Sequence, residues 1–262
     1  MLKDDKENKR QLNPVLPPLG ERGLALKVCG MKYIENIQQV AELQPDYLGF
    51  IFYEKSKRNF EGIIPDISKD IKKTGVFVNE IKEIVISLIE EYRLEAVQLH
   101  GDESVAYVTD LKNELVERRR LFIEENKFIK KRKNKLYISK NPIEIVKVFG
   151  IKDAFDFSVL EPYLDVVDYF LFDTKGKERG GNGVKFDWTV LKDYPYHKPF
   201  FLSGGIGLED VEQIQIMRKS NLPIYALDVN SKFEIEPGLK NVNEVSSFKN
   251  KLFWKEKKKN IS

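Results

Sequence analysis

Eight short apolar segments, separated by longer stretches, constrain the fold of this chain more than any other feature. Each is too continuously apolar for a strand with one face in water, and the buried strands of a parallel sheet have this pattern. The segments are LALKV (24–28), YLGFIF (47–52), TGVFV (74–78), AVQL (96–99), IVKVFGI (145–151), DYFLF (168–172), PFFLS (199–203) and IYALDV (224–229). We therefore expect eight parallel strands joined by right-handed crossover connections.

Several of the intervening stretches carry apolar residues at helical spacing. These stripes are Ile34, Ile37, Val40 and Ala41; Ile81, Ile84, Val85 and Leu88; Val105, Val108, Leu111 and Leu115; and Val211, Ile214 and Met217. Ser104 lies near one helix start, and Asp210 or Leu208-Glu209 near another, as capping residues do. An open doubly wound sheet usually has fewer strands and a G-x-G-x-x-G fingerprint, which is missing after the first strand here. The sequence predicts an α/β protein with a single-domain (β/α)₈ barrel, or TIM barrel.

The charge of the chain is unevenly distributed. With 44 Lys and Arg against 41 Asp and Glu, the net charge is +3. Residues 112–136 contribute +6, residues 255–262 contribute +3 and residues 1–22 contribute +1, which leaves −7 for the rest. We predict a flexible arm at 1–22, a barrel at 23–254 with a basic insert at about 112–138, and a basic tail at 255–262. The acidic body argues against a nucleic-acid partner.

The basic insert between the fourth and fifth strands has dense charge and ragged alternation. A solvated extension of the preceding helix and a surface hairpin both fit this composition. An RNA-binding patch is the weaker alternative, because aromatic residues that stack on bases are sparse there. Binding of RNA or DNA that is lost with residues 112–136 would favour that alternative.

Composition also excludes several classes of protein. One cysteine cannot form an internal disulfide, and with two histidines it leaves too few ligands for a typical structural zinc site. The first ten residues are charged, and no apolar stretch approaches the length of a membrane span. We expect a cytoplasmic protein with no metal site and no membrane partner.

Small and polar residues follow the apolar segments. In a (β/α)₈ barrel the loops after the strands build the active site. The strand exits, meaning the C-terminal ends of the predicted strands and the loops that follow them, carry Cys29-Gly30, Tyr53 with KSKR (55–58), Asn79, His100-Gly101-Asp102, DTKG (173–176) with GGNG (180–183), Ser203-Gly204-Gly205, and Asp228-Val229-Asn230-Ser231. Gly204 and Gly205 after the seventh strand, with Asn230 and Ser231 after the eighth, lie where such barrels commonly bind phosphate. We therefore expect a phosphorylated small-molecule substrate.

The motifs at these exits resemble those of the phosphoribosylanthranilate isomerase family of tryptophan biosynthesis. The matching stretches are LKVCGMK, YLGFIFYEKSKRNF, GVFVN, VQLHGDES, LFDTKG, GGNGVKFDW, FLSGGI, DVNSKFE and PGLK, and they span residues 24–111 and 145–254 in the family's order. The combination of K-V-C-G, F-Y-x-K-S-x-R and V-Q-L-H-G is the most specific. The resemblance implies an Amadori rearrangement of N-(5-phosphoribosyl)anthranilate that needs no cofactor.

The resemblance also implies roles for individual residues. Cys29 would be the general base, Asp173 the general acid, and Arg58 would hold the anthranilate carboxylate. The reaction requires an acid and a base, because ring opening needs a proton at the ring oxygen and enolamine formation needs a base at C2′. From their positions at the ends of the fourth and eighth strands, and not from the resemblance, we expect His100 to contact the substrate and Asp228 to orient a sugar hydroxyl.

Each assignment has an ordinary structural alternative. Cys29 could be a small residue of the core. Asp173 could cap its loop, and Arg58 could be a solvated surface charge. His100 and Asp228 would then only satisfy neighbouring polar groups. The family usually has Gly at the position of Lys232, a change that alters backbone freedom at the phosphate loop. We expect Lys232 to add a cation there, with a side chain in solvent as the alternative.

Two other functions compete with the isomerase. Indole-3-glycerol-phosphate synthase, from the same barrel class, would be expected to use Lys and Glu, and no such pair replaces Cys29 and Asp173. A non-catalytic nucleic-acid-binding protein would use the basic insert. Both a monomer and a homodimer fit the sequence.

Overall fold

In the computed structural model, which describes residues 23–128, 141–175 and 185–253, eight parallel strands close into a barrel in chain order. The last strand pairs with the first, with Lys27 opposite Asp228. The strands are Ala25–Val28 (β1), Tyr47–Phe52 (β2), Lys72–Phe77 (β3), Ala96–Leu99 (β4), Glu144–Ile151 (β5), Tyr169–Thr174 (β6), Phe200–Leu202 (β7) and Ile224–Val229 (β8). All eight apolar segments are strands, which confirms the predicted barrel.

The helices that surround the barrel vary in type. The α-helices are Ile34–Glu42 (α1), Lys82–Tyr92 (α2), Val105–Phe128 (α3), Val211–Met217 (α4) and Val242–Leu252 (α5). Short 3₁₀ helices span Phe157–Tyr163, Trp188–Asp193, Leu208–Asp210 and Ser231–Phe233. The connection from β2 to β3 is fully described and contains no helix. After β8 the chain forms a small antiparallel pair, Glu234–Glu236 (β9) and Leu239–Lys240 (β10).

Two of the predicted apolar stripes were partly wrong. Ile34, Ile81 and Ile84 are exposed. Helix α2 begins only at Lys82, and its buried face is Val85, Ile86 and Ile89. In α1 the buried face includes a polar residue, Asn36, whose amide binds both backbone polar groups of Lys240 and so needs no water.

Helix α3 carries the described part of the basic insert. Ser104 Oγ accepts a hydrogen bond from Tyr107 N at 3.2 Å, which confirms the predicted cap. The helix continues to Phe128, so residues 112–128 are a helical extension; residues 129–138 lie outside the described part, as do the arm and the tail. Arg120 pairs with Glu117 and Glu124 along the exposed surface of this helix.

An aromatic cluster fills the N-terminal end of the barrel. Tyr47, Tyr169 and Tyr225 pack around Phe201 with ring centroids 5.3 to 5.6 Å from its own. Lys72, at the start of β3, binds Glu144, at the start of β5, with Nζ 2.5 Å from Oε1. Side chains at the opposite end of the strands are left to form a site.

Candidate active site

A pocket opens at the C-terminal ends of the strands. It encloses about 770 Å³, a volume that includes the solvent-filled space at its open mouth. All ten residues predicted for the site line it: Cys29, Arg58, His100, Asp173, Gly204, Gly205, Asp228, Asn230, Ser231 and Lys232. The structure therefore brings together residues that are up to 203 positions apart in the sequence.

Cys29 follows β1 and is buried at the base of this pocket. Its N–H donates to Val229 O at 2.9 Å, which continues the pairing of β1 with β8. On the neighbouring strand, a Cβ added at Gly49 would lie 2.7 Å from the Cys29 sulfur. The glycine in the middle of β2 therefore makes room for the thiol.

Lys27 lies two residues before Cys29, and its ammonium is near enough to the thiol to act on its charge. Its Nζ also donates to Gln98 Oε1 at 2.7 Å and to Asp228 Oδ2 at 2.9 Å. Burial raises the pKa of the Cys29 thiol, while the nearby ammonium groups of Lys27 and Lys240 oppose this rise. Lys27 is not among the predicted site residues, although a lysine inside the apolar segment LALKV was an available signal.

Asp173 is the second-last residue of β6, so it belongs to the strand and not to the loop after it. Its Oδ1 accepts hydrogen bonds from Thr174 N at 2.9 Å and Ser203 Oγ at 3.4 Å, and its Oδ2 lies 3.5 Å from His100 Nε2. Because β7 and β8 separate β6 from β1 around the barrel, Asp173 and Cys29 approach the pocket from different sides. A carboxyl and a thiol can thus act on different atoms of one ligand.

The two carboxylate oxygens of Asp228 have different surroundings. Oδ2 pairs with the Lys27 ammonium, and Oδ1 is available to a ligand. Its Oδ1 is buried and has no hydrogen-bond partner among the described residues. A buried carboxylate oxygen without a partner is costly. Since Asp228 lines the pocket, this oxygen is a candidate acceptor for a ligand hydroxyl.

Arg58 is a largely buried arginine, with 13% of its side chain exposed, and not a solvated surface charge. Its Nε and Nη2 donate to both carboxylate oxygens of Glu234, at 2.9, 3.0 and 2.6 Å. Because the Nε–Nη2 edge is occupied, the edge that remains for a ligand carboxylate is Nη1–Nη2. Glu234 is not among the predicted site residues, because it lies 176 positions away and has no local signal.

The corner between β7 and β8 carries the candidate phosphate site. Gly204 and Gly205 have φ angles of 92° and 65°, which favour glycine. A Cβ on Gly204 would lie 2.8 Å from the backbone nitrogen of Thr174, so the chain passes too close for a side chain there. Lys232 borders the pocket on its solvent side, with Nζ 3.6 Å from Glu209 Oε1. The segment GGNG (180–183) lies outside the described residues.

The described part of the chain holds neither a metal-binding cluster nor a helix that could span a membrane. No group of three or more His, Cys, Asp and Glu side chains within it could hold a metal ion. None of the helices in residues 23–128, 141–175 and 185–253 has the length and apolar character needed to span a bilayer.

The fold and the pocket define a (β/α)₈-barrel enzyme whose site combines a carboxyl, a thiol, an arginine and a glycine-rich corner suited to an anion. Comparison with known proteins then places the chain more closely. Residues 26–138 and 130–251 match the family model of N-(5′-phosphoribosyl)anthranilate isomerase. The chain belongs to this family.

Curated relatives and solved structures agree with this assignment. The N-(5′-phosphoribosyl)anthranilate isomerase of Parabacteroides distasonis is 38% identical over 86% of this chain and 91% of its own length. The enzyme of Caldanaerobacter subterraneus subsp. tengcongensis is 34% identical over 87% of this chain and 97% of its own. The crystal structure of phosphoribosyl anthranilate isomerase from Thermotoga maritima superposes with a TM-score of 0.65 at 28% identity, over 87% of this chain and 98% of that one.

One further structure bears on the ligand. A phosphoribosyl anthranilate isomerase in complex with reduced 1-(o-carboxyphenylamino)-1-deoxyribulose 5-phosphate superposes with a TM-score of 0.62 at 26% identity, and covers 87% of this chain and 98% of that one. That relative therefore binds a phosphorylated molecule with an aromatic carboxylate.

Proposed function

We infer that this chain is an isomerase of L-tryptophan biosynthesis, which converts N-(5′-phosphoribosyl)anthranilate to 1-(2-carboxyphenylamino)-1-deoxyribulose 5-phosphate. The family match over most of the chain carries this conclusion. The pocket supports it, because it provides a separate group for each feature of the substrate: two acid–base groups, an arginine and an anion corner.

We assign the opening of the ribose ring to Asp173. In its protonated form the carboxyl donates a proton to the ring oxygen while the anilino nitrogen forms the imine. Ser203 and the Thr174 N–H hold one oxygen of Asp173 in place, which leaves the other directed toward His100 and the pocket. This arrangement orients the donor before the substrate arrives.

We assign the removal of the C2′ proton to Cys29. The imine makes this hydrogen acidic, and the thiolate accepts it to give the enolamine, which tautomerises to the aminoketose. Burial works against the thiolate, but Lys27 and Lys240 stabilise its charge. The pair of ammonium groups is therefore part of what makes a buried thiol usable as a base.

Binding is divided between the two ends of the substrate. The Nη1–Nη2 edge of Arg58 matches the planar anthranilate carboxylate. At the other end, the backbone N–H groups around Gly204, Gly205, Asn230 and Ser231 receive the phosphate. Asp228 Oδ1 accepts a hydrogen bond from a sugar hydroxyl, and His100 contacts the substrate from the β4 side.

The experiment that tests this function is turnover of the substrate by purified protein, followed as loss of phosphoribosylanthranilate fluorescence. We expect turnover without added metal or organic cofactor. Folded protein that leaves the fluorescence unchanged would contradict the proposed activity.

Expectations about assembly and location complete the proposal. A protein solved as generated monomers of a dimeric phosphoribosylanthranilate isomerase from Thermotoga maritima is among the structural relatives. For this chain we propose a monomer or a homodimer in the cytoplasm, with neither nucleic acid nor membrane as partner. Sedimentation of the purified protein distinguishes the two assembly states.

A further inference from the structure

Lys240 on β10 places a buried ammonium group beside the substrate pocket. Its side chain has no exposed surface, and its Nζ lies 2.6 Å from both Glu234 Oε1 and Asn230 Oδ1. The backbone of Lys240 is itself fixed, because Asn36 on α1 donates to its carbonyl at 2.9 Å and accepts from its N–H at 2.7 Å. The position of the ammonium is thus fixed by contacts with helix α1 as well as by residues of the pocket.

Glu234 is the partner through which Lys240 reaches the arginine. Besides the Lys240 ammonium, this carboxylate accepts two N–H groups of Arg58 and the N–H of Gly238 at 3.0 Å. Burial would raise the pKa of Glu234, but its hydrogen bonds from Arg58 and Lys240 hold that pKa below its ordinary value. A carboxylate with this many donors cannot turn without breaking several charged hydrogen bonds.

Asn230 is the partner through which Lys240 reaches the phosphate corner. It is the first residue after β8 and lies next to Ser231 at the pocket wall. With its Oδ1 held by Lys240, the start of this loop is tied to the same ammonium that supports Arg58 through Glu234. The two binding ends of the pocket therefore share one buried charge.

We propose that Lys240 is a positioning residue for substrate binding, which fixes the Arg58 edge through Glu234 and the β8 loop through Asn230. This inference rests on the proposed function, since it assumes a ligand with an aromatic carboxylate at one end and a phosphate at the other. Loss of the ammonium leaves Glu234 with one cation instead of two and releases Asn230. Both ends of the site then lose their fixed geometry.

The test uses reduced 1-(o-carboxyphenylamino)-1-deoxyribulose 5-phosphate as the probe, with its Kd measured by calorimetry. We compare the wild type with Lys240→Met and, as a matched control, Lys72→Met, which breaks the lysine–glutamate pair at the other end of the barrel. Lys240→Met is expected to weaken binding by on the order of tenfold or more, because small displacements of binding groups are costly. Lys72→Met is expected to keep the wild-type Kd even where it lowers Tm.

A second probe separates positioning from a general loss of order. With the same analogue lacking its phosphate, the weakening caused by Lys240→Met should be smaller, because only the Arg58 end then contributes. A folded Lys240→Met protein that binds the complete analogue as tightly as the wild type would overturn the inference. Equal weakening for the two probes would also overturn it, since Lys240 would then not reach the phosphate loop.

Two further measurements apply if Lys240→Met does not fold. Glu234→Gln keeps the side-chain shape and removes the charge between Arg58 and Lys240, so it should also weaken binding of the complete analogue. In the wild type, burial lowers the pKa of the Lys240 amine to about 8, and the groups facing it are Glu234, Arg58 and Cys29. Binding of the analogue should therefore weaken as the pH rises through this value. A constant Kd between pH 7 and pH 9, together with unchanged binding by Glu234→Gln, would contradict the inference.

The experiments distinguish a failure of this inference from a failure of the proposed function. If the wild type does not convert phosphoribosylanthranilate, the function fails. If the wild type converts it but the variants bind the analogue normally, only the assignment to Lys240 fails.

Discussion

Nε2 of His100 lies 3.5 Å from Oδ2 of Asp173. The imidazole comes from the end of β4 and the carboxyl from the end of β6, so the contact crosses the mouth of the barrel above β5. On its other oxygen, Asp173 is held by Thr174 N and Ser203 Oγ. The candidate acid is thus oriented from three strands, and its position does not depend on the substrate.

From this arrangement we predict that Asp173→Asn lowers kcat by on the order of 10² or more, because the amide keeps the shape but cannot deliver a proton. The Kd of the reduced product analogue should change little. Stopped-flow fluorescence gives the first quantity and calorimetry the second. Near-normal turnover by Asp173→Asn would remove this residue from the acid step.

We predict a similar loss of kcat, on the order of 10² or more, for Cys29→Ala, which lacks the base. Its Kd for the product analogue should again change little. Cys29→Ser is the matched control for volume, and it should be as slow as Cys29→Ala because a hydroxyl is a far weaker acid than a thiol. A Cys29→Ala protein with wild-type kcat would contradict the assignment.

The pKa of the thiol provides a separate prediction. Burial raises the pKa of Cys29 and Lys27 opposes that rise, so Lys27→Met should raise it further. The thiolate fraction at a given pH then falls, and the rate of alkylation by iodoacetamide should reach half of its maximum at a higher pH than in the wild type. Cys29 is the single cysteine of the chain, so the reaction reports this thiol alone. An unchanged or lower midpoint would show that the Lys27 ammonium does not stabilise the thiolate.

Arg58→Lys should chiefly raise KM. A lysine ammonium cannot present one edge to Glu234 and another to the substrate carboxylate, as the guanidinium does. The substrate would then lose its bidentate partner while Glu234 keeps a cation. Steady-state kinetics measure this effect, and a KM equal to that of the wild type would mean that Arg58 serves only Glu234.

Lys232→Gly restores the residue usual in the family and tests whether Lys232 binds phosphate. The ammonium lies 3.6 Å from Glu209 on the solvent side of the pocket. If it also attracts the phosphate, the variant should bind the product analogue more weakly, with the loss shrinking as salt rises. Equal Kd values for the two proteins at low salt would assign Lys232 to its pair with Glu209.

The strands and their order could be predicted because each strand is buried on both faces, and such burial requires a continuous apolar segment. The site could be located because polar residues follow strands whose C-terminal ends meet at one face of the barrel. The buried charges could not be predicted in this way. Lys27 lies inside an apolar segment, but its partner Asp228 becomes its neighbour only when the barrel closes. Lys240 looks like an ordinary solvated lysine in the sequence, although it pairs with Glu234 across the short β9–β10 hairpin.

The helical periodicity of apolar residues also gave wrong predictions of burial at positions where contacts with other elements decide it. Ile34 fits an apolar stripe but is exposed, whereas the polar Asn36 is buried because it satisfies the backbone of Lys240. The pattern of one helix contains no information about a backbone segment 204 positions later.

Gly49 in β2 and Cys29, directly after β1, constrain which residues can occupy each other's position during evolution. Any side chain at position 49 would press on the sulfur, since even a Cβ there would lie 2.7 Å from it. A descendant of this gene that acquires alanine at 49 therefore cannot keep the thiol in its present place, whatever its other motifs suggest. Among chains with the same eight strands, a residue larger than glycine at position 49 therefore indicates a thiol displaced from its place here, or a different residue at position 29.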